Sequence, residues 1–167
     1  MSLRLILTRH AKSDWGDPDL PDHDRTLNAR GHRAADVIGR WMADQGIVPK
    51  CALLSTATRV AETWDGLAPH LDTPTVQRSA GLYHAAPETI MDEIAALECD
   101  DVIVVAHNPG LAALAQYLVV ETPQRPEFYR FPTCATLVLD IPGESWLSLG
   151  PACAQVEHFV VPRDLTD

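Results

Sequence analysis

Val102-Ile103-Val104-Val105-Ala106-His107-Asn108-Pro109-Gly110 is the stretch of sequence that decides the fold. Its first five residues are apolar and mostly β-branched, which is typical of a strand that is buried on both faces. The chain then turns through 107–110 into an apolar segment, 111–119, that predicts a helix. A buried strand that leads directly into a helix is the repeating unit of a parallel sheet, so this stretch predicts an α/β protein.

The rest of the sequence repeats this alternation. Apolar runs predict strands at 3–8, 51–54, 75–78, 102–106, 133–140 and 153–160. Helical spacing and start signals predict helices at 27–45, 58–70, 87–97 and 111–119. Thr26 is the expected N-cap of the first helix, and Ser55 or Thr56 that of the second. We therefore expect one domain over residues 1–167, with a mostly parallel sheet covered by helices on both faces in three α/β/α layers.

The composition is that of a folded, acidic protein. Hydrophobic residues make up 46% of the chain and charged residues 22%, values that are ordinary for globular proteins. The chain has 23 acidic and 13 basic side chains, which gives a formal charge of −10. A surface of this charge repels nucleic acid and anionic membranes. We therefore expect no nucleic-acid or membrane partner, and any phosphate site must be a local basic cluster.

The sequence also favours a cytoplasmic location. No apolar run approaches the ~20 residues that span a bilayer, and the first predicted strand is too short for the core of a signal peptide. The four cysteines, which contain no Cys-x-x-Cys pair, predict reduced core thiols rather than disulfides or a zinc site: Cys51, Cys99, Cys134 and Cys153. The sequence predicts no particular oligomeric state.

Arginine and histidine side chains follow three of the predicted strands. Arg9 and His10 end the first strand, Arg59 lies in the first turn of the helix after the second, and His107 follows the fourth. Because ligands of α/β sheets bind beyond the carboxyl ends of the strands, we expect these four side chains to converge. Two guanidinium groups suit phosphate oxygens, and the amides that open the helix after Gly110 add donors, so the pattern predicts a phosphoryl site.

A neutral imidazole in such a site is a nucleophile near neutral pH. His10 is therefore predicted to attack phosphorus in line, form a phosphohistidine and release it to water, while His107, if protonated, stabilises the equatorial oxygens. Two alternatives are structural: His107 as a hydrogen-bonded strand-end residue, and Arg59 as a surface residue paired with Glu62 or Asp65. Trp15 is expected to edge the pocket or to fill an apolar gap.

The aspartate-rich run at 17–24 invites a metal-site interpretation, but it has neither the glycine of a calcium loop nor the Asp-x-Asp-x-Thr pattern. We expect a solvated loop, no metal and no cofactor. Other phosphatase mechanisms are disfavoured, because no cysteine has an arginine six positions later and no Gly-x-Ser-x-Gly or Walker A pattern occurs.

Three motifs resemble those of the histidine phosphatase (phosphoglycerate mutase-like) superfamily. Leu7-Thr8-Arg9-His10-Ala11-Lys12-Ser13 resembles its Arg-His-Gly signature, with alanine in place of the usual glycine. Ser55-x-x-x-Arg59-x-x-x-Thr63 and Val105-Ala106-His107-Asn108-Pro109-Gly110 resemble its second-arginine and second-histidine segments. The resemblance implies a phosphoglycerate mutase-like fold, His10 as the nucleophile, Arg9, Arg59 and His107 in the phosphate pocket, and no metal.

Within the superfamily, the small size and four further segments resemble the SixA-type phosphohistidine phosphatases. These segments are Arg9 to Trp15, Asp24-Arg25-Thr26-Leu27 with Gly31, Leu82-Tyr83-His84-Ala85, and Pro162-Arg163-Asp164-Leu165. The implied substrate is phosphohistidine on a protein, such as a histidine-containing phosphotransfer domain. The predicted substrate contacts are Lys12, Ser13, His84 and Asn108.

Two departures from the related mutases and ester phosphatases bear on the substrate. Gly16 lies beyond Trp15, where those relatives usually place an asparagine, and the segment 79–87, which supplies their glutamate acid, contains no carboxylate. An alkoxide leaving group needs a strong proton donor, whereas a protonated imidazole leaves readily, so the missing acid favours P–N substrates. His84 is the alternative acid.

Three other functions stay open at this stage. The first is a phosphomonoesterase acting on a small phosphorylated metabolite, which shares the pocket but needs an efficient acid. The second is a non-catalytic phospho-binding protein, against which the intact His10 and His107 argue. The third is a mutase, for which so short a chain leaves little room for a substrate lid.

Overall fold

The computed structural model describes residues 2–166 of the chain. Its strands are β1 (Ser2–Arg9), β2 (Cys51–Ser55), β3 (Thr75–Ser79), β4 (Asp101–Ala106), β5 (Thr136–Pro142) and β6 (Gln155–Val160). Its α-helices are α1 (Ala29–Asp44), α2 (Thr58–Leu67), α3 (Pro87–Ala95), α4 (Gly110–Leu118) and α5 (Pro126–Arg130). All predicted strands and helices are therefore present.

The six strands form one sheet in the order β3-β2-β4-β1-β5-β6. The pairs β1–β4, β4–β2 and β2–β3 are parallel. β5 runs antiparallel to both of its neighbours, β1 and β6. β4 lies between β2 and β1, with Arg9 opposite Ala106 in register. The carboxyl ends of these three strands consequently lie side by side, which brings the residues that follow them to one edge of the sheet.

The sheet separates two apolar clusters. In β1, Leu5 and Leu7 pack into the cluster that contains residues of α3, α4 and α5, while Ile6 packs into the cluster formed with α1 and α2. This alternation follows from the two-residue period of a strand. The prediction of three α/β/α layers around a mostly parallel sheet is confirmed.

The starts of two helices differ from prediction. Asn28, not Thr26, caps α1, because its side-chain oxygen accepts a hydrogen bond of 2.8 Å from the Gly31 amide. α2 begins after Ala57 without a side-chain cap, and the Ser55 hydroxyl bonds to His107 instead. α5 was not predicted. It begins at Pro126, inside a proline-rich segment at 123–132, and proline suits the first helical turn.

The prediction of four reduced cysteines is wrong for Cys51 and Cys99, which form a disulfide across Cα atoms 6.3 Å apart. Cys51 opens β2 opposite Val102 of β4, so the chain segment just before β4 runs beside it. A separation of 48 residues hides this proximity from sequence patterns. Cys134 and Cys153 are free thiols, and burial raises the pKa of Cys134 to about 12.

No helix among residues 2–166 combines the length and apolar character needed to cross a bilayer.

Candidate active site

A cavity of about 230 Å³, hereafter the phosphoryl pocket, lies at the carboxyl ends of β1, β2 and β4. The eight residues predicted for the site all line it: Arg9, His10, Lys12, Ser13, Arg59, His84, His107 and Asn108. Trp15, Arg25 and Thr133 complete the lining. The expected convergence is therefore present in the fold, and it brings three guanidinium groups together.

His10 is held in one tautomer. Its Nδ1 lies 2.8 Å from the carbonyl oxygen of Ala11, and a carbonyl can only accept, so Nδ1 carries the proton. The lone pair of the neutral ring is then on Nε2, which accepts a hydrogen bond of 3.4 Å from Arg59 Nε. The nitrogen suited to attack phosphorus thus faces a guanidinium group that can hold the phosphoryl oxygens.

His107 is fixed from two sides. Its Nε2 lies 2.7 Å from the Ser55 hydroxyl oxygen, and its Nδ1 lies 3.4 Å from Arg59 Nη2. Because a guanidinium only donates, Nδ1 accepts and Nε2 carries the proton. The ring centroids of His10 and His107 are 5.4 Å apart.

Burial lowers the pKa of both imidazoles to about 3. The charges of Arg9 and Arg59 contribute to this lowering at His10, and the charge of Arg59 contributes to it at His107. Both rings are therefore neutral at pH 7, which is the form that the predicted nucleophilic role of His10 needs. The protonated form of His107 is not favoured by the protein alone, but a phosphoryl dianion nearby would favour it.

The two predicted arginines are buried in different ways. Arg9 donates from Nη1 to the Phe131 carbonyl at 3.3 Å, while its Nε is buried without a hydrogen-bond partner among residues 2–166. Burial lowers the pKa of Arg9, and the charge of Arg59 adds to this effect. Arg59 is 1% exposed and donates to the Asp22 carbonyl at 2.7 Å, so the alternative of a surface pair with Glu62 or Asp65 is wrong.

Thr63 ties the loop after β1 to α2. Its hydroxyl accepts a hydrogen bond of 2.9 Å from the Ala11 amide and donates one of 2.7 Å to the Arg59 carbonyl. The Ser-x-x-x-Arg-x-x-x-Thr spacing therefore has a structural meaning. Ser55 fixes His107, Arg59 enters the pocket, and Thr63 holds the backbone beside His10.

Asp22 is a site residue that the sequence prediction missed. Its Oδ2 accepts hydrogen bonds from Arg59 Nη2 at 3.1 Å, from His84 Nε2 at 3.1 Å and from the Tyr83 hydroxyl. The Tyr83 hydrogen bond is the main cause that lowers the pKa of Asp22, and Arg25 lowers it further. The prediction of a merely solvated loop is wrong here, because the chain folds back over the pocket at this residue.

Arg25 is the third guanidinium of the phosphoryl pocket and was also missed as a site residue. It is 7% exposed, donates to Asp22 Oδ1 at 2.9 Å, and lies 3.6 Å from the centre of the Trp15 ring. Its Nη1 is buried without a hydrogen-bond partner in the described part of the chain. Trp15 is 71% exposed, so it edges the pocket and does not fill an apolar gap. The Asp-x-x-Arg spacing after Pro21 was the available sequence signal.

Asn108 lines the pocket, but its amide group serves the protein. Nδ2 donates to the carbonyls of Arg130 and Phe131 at 3.0 and 2.9 Å, which anchors the end of α5. The first amides of α4 were predicted to donate to phosphate. The Leu111 amide instead donates to the His107 carbonyl at 3.0 Å. Asn108 therefore positions the wall of the pocket.

The backbone of His84 adopts a conformation that is unusual for a residue other than glycine. Its φ of 51° lies in the left-handed region, which costs energy in a residue other than glycine and recurs at functional sites. The next residue packs against the start of α4, where a Cβ on Gly110 would lie 2.1 Å from the Ala85 carbonyl oxygen. A glycine at position 110 thus allows the His84 segment to approach His107, at 4.9 Å between ring centroids.

Among residues 2–166, no group of three or more His, Cys, Asp or Glu side chains is arranged to hold a metal ion. The donors that line the phosphoryl pocket are mainly cationic and suit an anion. That the reaction needs no metal stays a prediction.

Comparison with known proteins agrees with this geometry. The profile of the histidine phosphatase superfamily (branch 1) matches residues 5–83. An uncharacterized protein of Mycobacterium tuberculosis is 35% identical over 166 residues, which cover 93% of this chain and 99% of that protein. Among solved structures, a candidate phosphohistidine phosphatase SixA from Nakamurella multipartitia shares 27% identity and a TM-score of 0.84 over 97% of each chain.

A second candidate phosphohistidine phosphatase SixA, from Agrobacterium tumefaciens, shares 28% identity and a TM-score of 0.80 over 96% of this chain and 98% of that one. The resemblance predicted from the motifs is thereby confirmed. This chain belongs to the histidine phosphatase superfamily, as a protein of the SixA type.

Proposed function

We propose that this chain is a phosphatase that hydrolyses phosphohistidine on a protein through a covalent intermediate on His10. The observation that carries the proposal is the buried Nε2 lone pair of His10, which faces Arg59 in a pocket that also holds Arg9 and Arg25. The SixA assignments of the two structural neighbours support this substrate class.

The first step is an in-line displacement. His10 Nε2 forms a bond to phosphorus as the P–N bond of the substrate breaks, and the electron pair of that bond stays on the departing imidazole, which takes up a proton. Arg9 and Arg59 hold the oxygens whose charge develops in the transition state, and Arg25 binds the phosphoryl group from the loop. Loss of one such hydrogen-bond donor lowers kcat by a factor of about 10²–10³.

The second step returns the enzyme to its starting form. Water attacks the phosphohistidine at position 10 and passes a proton to His84, which replaces the one given to the leaving imidazole. Inorganic phosphate leaves, and the Nε2 lone pair is restored. The hydrogen bond from Nδ1 to the Ala11 carbonyl holds the ring in place through both steps.

His84 is the candidate donor of the leaving-group proton. It lines the phosphoryl pocket, and its Nε2 donates to the Asp22 carboxylate at 3.1 Å, which orients the ring. Segment 79–87 contains no carboxylate, but Asp22 from another loop places one next to the His84 imidazole. This pair also favours the second candidate function, a small-molecule phosphomonoesterase, because an ester needs a proton donor.

Relative rates on two substrates test the proposal. We expect kcat/KM for a phosphohistidine peptide to exceed that for glycerol phosphate by about 10² or more, since the weaker need for acid catalysis favours the P–N bond. Equal rates would contradict the proposal and favour the phosphomonoesterase. Assays with and without EDTA test the metal-independent mechanism, which predicts no change. The cytoplasmic location stays a prediction.

A further inference from the structure

A basic groove leaves the phosphoryl pocket on one side. Its first cavity, of about 360 Å³, shares Arg9, Lys12 and Thr133 with the phosphoryl pocket. Its second cavity, of about 350 Å³, shares Arg30 and Arg163 with the first. The two cavities together are hereafter called the basic groove.

The charge of this face opposes that of the whole protein. Eight of the 13 lysine and arginine residues line the groove or the phosphoryl pocket: Arg9, Lys12, Arg25, Arg30, Arg33, Arg59, Arg130 and Arg163. In the described part of the chain, Glu127 is the single acidic residue that lines the groove, and Asp22 pairs with Arg25 and Arg59 at the phosphoryl pocket. A cationic face on a chain with a formal charge of −10 indicates that the groove receives an anion.

The cations of the groove are weakly neutralised. Glu127 Oε1 lies 3.8 Å from both Arg130 and Arg163, beyond hydrogen-bond distance. Within residues 2–166, no carboxylate lies within 4.0 Å of Arg30 or Arg33, both of which are exposed. These guanidinium groups are available to an incoming carboxylate at little desolvation cost.

The shape of the groove suits a polypeptide. One cavity of about 360 Å³ would hold a small metabolite, but here two such cavities follow one another away from the phosphoryl pocket. Their floor is partly apolar, with Ala34 and Pro162 common to both. An extended segment beside a phosphohistidine would lie along this floor with its acidic side chains at the arginine rim.

We propose that the basic groove binds acidic residues that flank the phosphohistidine of the protein substrate, with Arg30 and Arg163 as the main determinants of this specificity. The inference rests on the proposed function, because it takes a protein-borne phosphohistidine as the substrate. The phosphoryl pocket selects the phosphorylated side chain, and the groove selects its sequence context.

Binding is tested with two fluorescein-labelled histidine peptides that carry either glutamates or glutamines on both sides of the histidine. Two exposed ion pairs lead us to expect about fivefold tighter binding of the glutamate peptide, measured by fluorescence anisotropy. The preference disappears in the double variant Arg30→Gln/Arg163→Gln and in high salt. It persists in the control Arg40→Gln, an exposed arginine of α1 paired with Asp36 outside the groove.

Turnover of the phosphorylated forms of the same peptides separates this inference from the proposed function. The expected result is faster hydrolysis of the glutamate peptide by the wild type, without that preference in the double variant. Equal binding of the two unphosphorylated peptides would overturn the groove proposal even if both phosphopeptides were hydrolysed. Glutamate-dependent binding without any phosphohistidine turnover would instead leave the groove in place and overturn the proposed function.

Discussion

The walls of the phosphoryl pocket and the loop that closes over it are built in opposite ways. The walls come from the ends of β1 and β4 and from the first turn of α2, where Arg59 and His107 are at most 2% exposed. The loop, residues 14–25, has little regular structure, and it reaches the pocket through Asp22 and Arg25. The strand pairing of the sheet fixes the positions of the wall residues. The position of the loop is fixed only by the side-chain contacts of Asp22 and Arg25.

This difference assigns different roles to the two regions. Sheet register places His10 beside His107, so in the proposed mechanism the walls would supply the nucleophile and most of the charge for the transition state. Asp22 orients His84, the proposed proton donor, and Arg25 adds one more guanidinium. Substitutions in the walls should therefore slow the reaction most, and substitutions in the loop should change its specificity and affinity.

The largest effect is expected for Arg59→Lys in the wall. A lysine keeps the charge but loses the planar fork that spans Asp22, His10 and His107, so kcat on a phosphohistidine peptide should fall about 10²–10³-fold. Steady-state kinetics give the value, and circular dichroism checks the fold. Arg78→Lys, on the exposed edge strand β3, is the matched control without loss. An Arg59→Lys enzyme within threefold of the wild type would break the distinction between wall and loop.

In the loop, Asp22→Asn is expected to change the choice of substrate. Loss of the carboxylate weakens the hold on His84, so hydrolysis of glycerol phosphate should fall by about 10², the lower end of the usual gain from acid catalysis, and that of phosphohistidine by much less. The ratio of the two kcat/KM values is the measurement. Asp19→Asn, an exposed aspartate of the same loop, should leave the ratio unchanged. Equal losses on both substrates would show that Asp22 only positions the loop.

Arg25→Gln should weaken phosphate binding by about tenfold, the value of one hydrogen bond to a charged group. The buried and unpartnered Nη1 is the donor that the substitution removes. Because the guanidinium lies 3.6 Å from the Trp15 ring, the tryptophan fluorescence change on adding inorganic phosphate should also shrink. Unaltered affinity with an unaltered signal would exclude Arg25 from the phosphoryl site.

The last effect concerns the pH dependence of stability. His10 and His107 have pKa values of about 3 in the fold and about 6.5 when unfolded, so the unfolded chain binds more protons between these limits. The free energy of unfolding should therefore fall as pH drops below about 6.5, by about 1–2 kcal/mol per histidine at pH 5. Urea titrations at pH 7 and pH 5 measure this loss, which inorganic phosphate should reduce. An equal slope in His107→Gln would argue against the neutral, buried state of His107.

The same contrast explains how far the sequence could predict the structure. Arg9, His10, Arg59 and His107 were predictable, because a parallel sheet brings its strand ends together regardless of the loops between them. Asp22 and Arg25 were missed, because the Asp-x-x-Arg spacing indicates only their mutual ion pair and not their contacts with Arg59 and Trp15.

Other misses have the same origin in long-range or competing contacts. The Cys51–Cys99 disulfide joins residues brought together only by the pairing of β2 with β4. Asn28 replaced Thr26 as the cap of α1 because Thr26 lies in extended chain, where its carbonyl bonds to the Asp14 amide. The bonds from Asn108 Nδ2 to the end of α5 likewise join positions far apart in the sequence, while its predicted contact with the substrate stays a prediction.

Trapping the phosphoenzyme tests the central claim most directly. The protein is incubated with a ³²P-labelled phosphohistidine peptide and quenched in alkali, in which phosphohistidine survives, and the labelled residue is located by peptide mapping. We predict a label at His10 in the wild type, and neither a label nor turnover in a folded His10→Ala variant. A label elsewhere in the wild type, or full activity of His10→Ala, would contradict the account.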